Sequence, residues 1–457
     1  MPTTRTIAAA AARGNYDLDA AVAEVEGRYT AANPESRRRH EAATKFMPGG
    51  NTRSILFYSP FPLGLASGEA QRVTDLDGHT YTDFLGEYSA GLYGHSHPVI
   101  LAAIRRALES GVVLGGPNRY EAELAAEICR RFPSMELVRF CNSGTEANLL
   151  AISAARVATG RPAIMVFDDA YHGSVFYFAH GGSPINAPFP WVSARYNDAD
   201  AAVRVISENA DRLAAVIVEP MQGGAGCIAG DPTFLAALRD ACTKHGIVLI
   251  FDEVMTSRMS QGGLQSRLGI TPDMTTLGKY LGGGLTFGAF GGKAWTMERF
   301  DPRRPDAISH AGTFNNNVLA MAAGLAGLKE VLTPEASMAL NDRGDRLRDR
   351  INAVAERRGM PLQATGVGSI IGLHFHRGPI RSAADVESDD AAREAVRMQL
   401  MKLLHLELIA RGQYMARRGY MTLSLPMDDS DVDRFVEAVE SVLDTNGSAI
   451  RRAVDGA

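Results

Sequence analysis

At 457 residues the chain is too long for one small core and suits a large domain joined to a smaller one. Its 46% hydrophobic share, 22% charged share and net charge of −5 are ordinary for a globular chain, and exclude the basic excess of a nucleic-acid binder. The four cysteines, Cys129, Cys141, Cys227 and Cys242, lack CxxC spacing and are too few for a disulfide framework, so no metal site and no disulfide are expected.

The alanine run after Ile7 is weakly apolar and leads into Arg13-Gly14-Asn15, which reads as a frayed leader or the start of a helix. No apolar stretch reaches the ~20 residues that a membrane span needs, so a cytoplasmic protein without a membrane partner is expected. Leu18 to Lys45 is polar and helical. A Pro/Gly loop follows, Met47-Pro48-Gly49-Gly50-Asn51-Thr52-Arg53-Ser54. Arg72–Leu76 and His79–Phe84 flank Asp77-Gly78, a two-residue hairpin signal.

From about residue 120 to 295 short apolar runs alternate with segments of helical period. The runs are Leu137–Phe140, Ala163–Phe167, Ala214–Val218 and Ile247–Phe251. They read as strands buried on both faces, hence a mostly parallel sheet with helices around it. Beyond residue 335 the pattern is helix (Ala336–Arg358), strand (Ser369–Phe375), helix (Ala391–Ala410), strand (Tyr420–Leu425) and helix (Asp431–Leu443), which suits a smaller α/β domain. The expected division is an N-terminal segment (1–95), a large domain (96–335) and a C-terminal small domain (336–457).

Ligands of open α/β sheets bind beyond the carboxyl ends of the strands, so the residues after each run carry the chemistry. After the first run, Asn142-Ser143-Gly144-Thr145-Glu146-Ala147 opens a helix. Ser143 and Glu146 have capping-box spacing, and the turn offers backbone N–H groups, two hydroxyls and the positive end of a helix, as a phosphate cradle does. After the second come Tyr171 and His172, where an aromatic could stack on a flat ligand. After the third come Glu219-Pro220 and Gln222. After the fourth stands Asp252, a carboxylate that loses hydration unless a cation compensates it. Lys279 sits in an apolar, Gly-rich stretch where burial would lower its pKa and make the amine nucleophilic. Lysine is scarce, with only Lys45, Lys244, Lys293, Lys329 and Lys402 besides. A P-loop is excluded, because Tyr280 stands where Ser or Thr would meet magnesium. A phosphate cradle, a stacking aromatic, a buried carboxylate and a nucleophilic lysine at one sheet edge match pyridoxal 5′-phosphate, whose aldehyde needs Lys279 and whose pyridine nitrogen needs Asp252.

With these motifs the sequence resembles the class III aminotransferases of pyridoxal phosphate fold type I. The matching stretches are Asn142–Ala147, Tyr171-His172-Gly173, Glu219-Pro220, Phe251-Asp252-Glu253-Val254, Gly278-Lys279 and Gly312-Thr313-Phe314. The resemblance implies a large domain with a mostly parallel sheet and a smaller α/β domain built from the N- and C-terminal segments. It also implies Val254 on the ring face opposite Tyr171, Gln222 near the cofactor's 3′-oxygen, and Thr313 on the phosphate of a neighbouring subunit, hence a homodimer with shared sites.

Within that family, two subgroups compete. Glutamate-1-semialdehyde aminomutase shares the Gly282-Gly283-Gly284 run after the lysine. The β-amino acid aminotransferases resemble the chain more, at Pro48–Ser54, Asp252–Arg258, His310–Asn317 and Arg418-Gly419-Tyr420. The aminomutase has an acidic residue near Arg417-Arg418, where this chain is doubly basic. The resemblance then implies Arg53 for the carboxylate of a β-amino acid, aromatic ones such as β-phenylalanine included, and Arg418 for that of an α-keto acid such as 2-oxoglutarate or pyruvate. An aminomutase, an amine (omega) transaminase and a cofactor binder without turnover are the alternatives; an intact Lys279 and Asp252 argue against the last.

Overall fold

The computed structural model describes residues 17–388 and 390–456. The alanine run after Ile7 lies outside the described residues. The polar helical stretch is two helices, Leu18–Ala32 and Pro34–Ala43, broken at Asn33 ahead of a proline in the first turn. β1 (Leu65–Glu69), β2 (Arg72–Asp75) and β3 (Thr80–Asp83) pair antiparallel; the chain turns at Asp77-Gly78 as expected, but over the three residues Leu76 to Gly78 rather than two, because Asp75 N donates to His79 O (3.0 Å) and Leu76 leaves the strand. Asp75 Oδ1 closes that turn by accepting from Asp77 N (2.9 Å) and His79 N (2.8 Å).

The large sheet has seven strands: β4 (Leu137–Cys141), β5 (Ala163–Phe167), β6 (Trp191–Ala194), β7 (Leu213–Val218), β10 (Val248–Asp252), β11 (Met274–Gly278) and β12 (Gly288–Gly292). Between β7 and β10, β8 (Met221–Gln222) and β9 (Ile228–Ala229) make a small separate hairpin. The order across the large sheet is β4-β12-β11-β10-β7-β5-β6. Only β12 runs against its neighbours. The sheet is therefore mostly parallel, as expected.

Every residue of β5, β7 and β10 is buried, because helices cover both faces. On one face Ile164, Val166, Ile217 and Ile250 pack on Ala147, Ala151, Ile152 and Ala155 of the helix Gly144–Thr159. On the other, Met165, Phe167, Val216 and Phe251 meet Ile206, Phe234 and Leu238. Successive residues thus serve opposite layers, each buried aliphatic contributing about 1.5–3 kcal/mol. The Leu137–Phe140 run differs from expectation. β4 is an edge strand with β12 as its one neighbour, so Leu137 is 43% exposed rather than buried on both faces.

β13 (Leu362–Val367), β14 (Ile370–Phe375) and β16 (Tyr420–Thr422) form an antiparallel sheet. The helices Pro334–Arg357, Ala391–Ile409 and Asp429–Asp455 belong to the same stretch of chain. β15 (Gln413–Tyr414) pairs in parallel with β3, and the helix Leu18–Ala32 packs on Ala391–Ile409, so both ends of the chain build one smaller α/β unit. No helix of the described residues is long and apolar enough to cross a membrane.

Candidate active site

Parallel strands end on the same side of a sheet, so β4, β5, β7, β10 and β11 deliver Asn142–Thr145, Tyr171-His172, Glu219, Asp252 and Lys279 to one edge. Asp252 is the last residue of β10, in register with Thr276 of β11. Its carboxylate is 5% exposed. Oδ2 accepts from His172 Nδ1 (2.8 Å) and Asn148 Nδ2 (2.8 Å), and Oδ1 from Val254 N (3.1 Å). Asn148 also donates to His172 O (2.8 Å) and accepts from Thr276 Oγ1 (2.6 Å). One helical amide therefore fixes the carboxylate, the histidine and the neighbouring strand. Sequence reasoning missed Asn148, although it lies on the helix opened by Ser143.

Ser143 caps the helix by accepting from Glu146 N (3.2 Å). The return arm of the expected capping box goes one residue upstream instead, with Asn142 N donating to Glu146 Oε2 (2.9 Å). Thr145 Oγ1 accepts from Ser174 N (3.2 Å). Both hydroxyls keep their own hydrogens to donate. A Cβ on Gly144 would lie 2.9 Å from Val254, and one on Gly173 2.3 Å from Thr145 Oγ1, so both glycines are required by close packing around the turn.

Lys279 follows β11 directly, in the left-handed region at φ 58°, which a side-chain-bearing residue holds only when its surroundings impose it. Its Nζ donates to Tyr88 O (2.6 Å). Burial first, then the positive charge of Arg53, lowers its pKa to about 8, against the opposing pull of Asp252. Lys293, Lys329 and Lys402 are instead engaged in ion pairs with Glu136, Glu123 and Glu26.

The carbonyl that holds Lys279 belongs to an unusual turn. Gly86, Glu87, Tyr88 and Ser89 all have positive φ (52°, 48°, 53° and 78°). The turn is anchored from below by Arg258, fully buried, which donates to Ser89 O (3.4 Å), Thr422 Oγ1 (3.0 Å) and Leu423 O. The Tyr88 ring stacks on Tyr420 at 5.3 Å. Over the Tyr88 ring stand two guanidiniums, Arg53 at 5.6 Å and Arg418 at 5.9 Å. The structure thus brings both sequence-predicted arginines to the residue that holds the lysine. Tyr88 and Glu87 gave no signal in the sequence, because nothing local marks a turn whose importance lies in what it touches.

Arg53 pairs with Glu87, while Arg418 has no carboxylate within 4.0 Å among the described residues. Arg418 Nε is buried without a partner. So are Glu219 Oε2, Gln222 Oε1 and His172 Nε2. Burial, reinforced by Asp252, pushes the Glu219 carboxyl well above the usual range. Gln222 Nε2 is engaged with Asp168 O (2.8 Å). Tyr171 is 46% exposed, with Tyr177 edge-on at 5.7 Å. Val254 lies against Gly144 and Gly278. Unpartnered buried polar atoms, an exposed ring and a donor-rich turn fit a flat, polar, phosphorylated ligand such as pyridoxal phosphate. Thr313 stands apart. It is exposed beside Phe314 (60% exposed), on a segment tied to the turn by Asn142 Nδ2 donating to Asn315 Oδ1 (2.9 Å).

A mostly parallel α/β sheet with a lysine of lowered pKa and a buried aspartate at its carboxyl edge defines a pyridoxal phosphate enzyme of the aminotransferase fold. Residues 58–395 match the family Aminotransferase class-III, and the chain belongs to it. It is similar to the β-phenylalanine transaminase of Variovorax paradoxus, 49% identical over 436 residues that cover 95% of this chain and 99% of that one. The crystal structure of a β-phenylalanine aminotransferase from Variovorax paradoxus superposes with a TM-score of 0.91 over 94% of this chain and 98% of that one, at 49% identity. An omega-transaminase from Sphaerobacter thermophilus follows at TM-score 0.83 and 37% identity, covering 90% and 97%. A glutamate-1-semialdehyde 2,1-aminomutase from Sorangium cellulosum is 36% identical over 430 residues, 90% of this chain and 96% of that one.

Proposed function

We propose that this aminotransferase moves the amino group of a β-amino acid, with an aromatic side chain as in β-phenylalanine, to an α-keto acid such as 2-oxoglutarate or pyruvate. The observation that carries the reading is the pair of guanidiniums, Arg53 and Arg418, over one Tyr88 ring whose carbonyl holds Lys279. With the reacting nitrogen fixed, the carboxylate of a 3-amino acid lies one carbon further away than that of a 2-keto acid. One site serving both needs two cationic anchors, and arginine binds carboxylate with a fork of two donors. Arg53 takes the β-carboxylate and Arg418 the α-carboxylate. The similarity to a β-phenylalanine transaminase supports a β-amino acid as the donor.

Ser143, Gly144 and Thr145 would hold the cofactor's phosphate, Tyr171 and Val254 its two ring faces, and Asp252, backed by His172 and Asn148, its pyridine nitrogen. Gln222 would serve the 3′-oxygen, and Glu219 would line the cofactor site. Thr313 reaches the phosphate in a second subunit, so the working form is a homodimer. When bound, pyridoxal phosphate supplies an aldehyde that takes up the amino group and a ring that accepts the electron pair of the adjacent carbon. Lys279 holds the cofactor at rest. Its freed Nζ would take the proton from the substrate carbon that bears nitrogen and act as the proton carrier of the reaction. With its pKa lowered to about 8, roughly a tenth of the amine is neutral at pH 7, about 300-fold more than for a lysine at 10.5, and the neutral amine is the form a base requires. Asp252 would hold the ring nitrogen, and Arg53 and Arg418 hold the two substrates in turn.

A panel of amine donors assayed with and without 2-oxoglutarate or pyruvate tests the reading. Amino transfer from 3-amino acids that requires the keto acid is the expected result. Turnover of a single substrate without any acceptor would make the protein an aminomutase instead.

A further inference from the structure

The two arginines differ in one respect. Among the described residues Arg418 carries no carboxylate, whereas Arg53 already has one, Glu87. Glu87 does not meet Arg53 by the chance of two flexible surface chains. It sits in the left-handed turn Gly86–Ser89, at φ 48°. The turn is closed by Tyr88 N donating to Leu85 O (2.9 Å) and Gly91 N donating to Gly86 O (2.9 Å), and held by buried Arg258 at Ser89 O. The next residue, Tyr88, supports both guanidiniums and holds Lys279. The fold therefore presents a carboxylate to the guanidinium that is read as the anchor for a substrate carboxylate. Glu87 is 56% exposed and Arg53 42% at the side chain, so the pair can open and Glu87 can rehydrate in place.

We propose that Glu87 is a resident counter-carboxylate of Arg53, displaced when a 3-amino acid binds, and that it thereby sets how the site ranks carboxylated donors against amines that carry no carboxylate. The proposal rests on the reading of Arg53 as the β-carboxylate anchor. Exchange of one carboxylate for another keeps the guanidinium paired in both states. A donor without a carboxylate leaves Glu87 in place, so no unpaired charge faces its apolar group. Glu87 thus lowers the affinity for anionic donors and eases entry of neutral ones. Because the pair is partly exposed, its opening should weaken binding of an anionic ligand by a modest factor, roughly two- to fivefold.

The test uses the cofactor-free protein and 3-phenylpropanoate, which has the carboxylate and ring of the proposed donor but no amine. Its dissociation constant is measured by calorimetry at low ionic strength for the parent, Glu87→Gln, Arg53→Ala and the double variant. Glu87→Gln is expected to bind roughly two- to fivefold tighter, and the Glu87 substitution to have no effect once Arg53 is Ala. In the loaded enzyme Glu87→Gln should raise the ratio of kcat/KM for 3-amino-3-phenylpropanoate over that for 1-phenylethylamine by a similar factor. If Arg53→Ala weakens binding but Glu87→Gln leaves it unchanged or weaker, the proposal fails and the function stands. Equal tightening by Glu87→Gln with Arg53 absent also overturns it. If Arg53→Ala binds 3-phenylpropanoate as tightly as the parent, the anchor assignment itself is wrong.

Discussion

Replacing Arg418 or Arg53 by Ala should impair different halves of the reaction, and by unequal amounts. Arg418 has no carboxylate of its own among the described residues and a buried, unpartnered Nε. A keto acid carboxylate bound there gains a full charge-assisted contact, so Arg418→Ala should lose about 1.5–3 kcal/mol, or roughly 10- to 150-fold in kcat/KM. Arg53 must first release Glu87, an exposed pair that is worth about 0.2–1 kcal/mol. The net loss for Arg53→Ala is then on the order of 0.5–2.8 kcal/mol, roughly 2- to 110-fold. Each half-reaction can be followed alone in single-turnover absorbance, from the 3-amino acid to the aminated cofactor and back with the keto acid. Arg53→Ala should slow the first half more, Arg418→Ala the second. Equal losses in both halves for both variants would refute the division of labour, even if the variants remain transaminases.

Asp252→Asn keeps the shape and removes the carboxylate proposed to hold the ring nitrogen; a loss of ~10²-fold or more in the first half-reaction is expected, and a variant within a factor of two would make the carboxylate purely structural. Mixing Lys279→Ala with Thr313→Val chains should restore activity through hybrid dimers with one intact site; verified heterodimers without activity would count against a shared site. Burial lowers the pKa of His374 to about 4 and of His405 to about 3. Both are thus neutral in the fold at pH values where the unfolded chain takes up protons, below ~6.5. Their contribution is complete above that value and is lost as pH falls from it towards 4 and 3, by about 1.4 kcal/mol per pH unit for each. His405 stacks edge-on against Tyr58 at 4.5 Å, so His405→Phe keeps a ring there and should reduce the loss of urea stability between pH 6.5 and 5 by about 1.5 kcal/mol. An unchanged acid slope would show that this histidine does not titrate as described.

The sequence by itself determined the parts of this protein that are set by short-range pattern. β5, β7 and β10 are continuous apolar runs because both of their faces are covered, and that covering is written into every residue. The turn at Asp77-Gly78, the Ser143 helix start and the placement of Asp252 and Lys279 at strand ends were legible for the same reason, since each is marked by its own neighbours in the chain. Tertiary structure alone decided β12. Its sequence Gly-Ala-Phe-Gly-Gly has the composition of a loop. A Cβ at Gly288 would lie 2.3 Å from Ser143 O, at Gly291 2.5 Å from Leu137 O, and at Gly292 2.4 Å from Asp273 O. The glycines are there because other backbone passes against them, a demand no local window contains. Tyr88 and Glu87 were hidden in the same way. What they do depends on Arg53, Lys279 and Arg418, which are distant in the chain and meet only because the N- and C-terminal segments fold onto the carboxyl edge of the sheet.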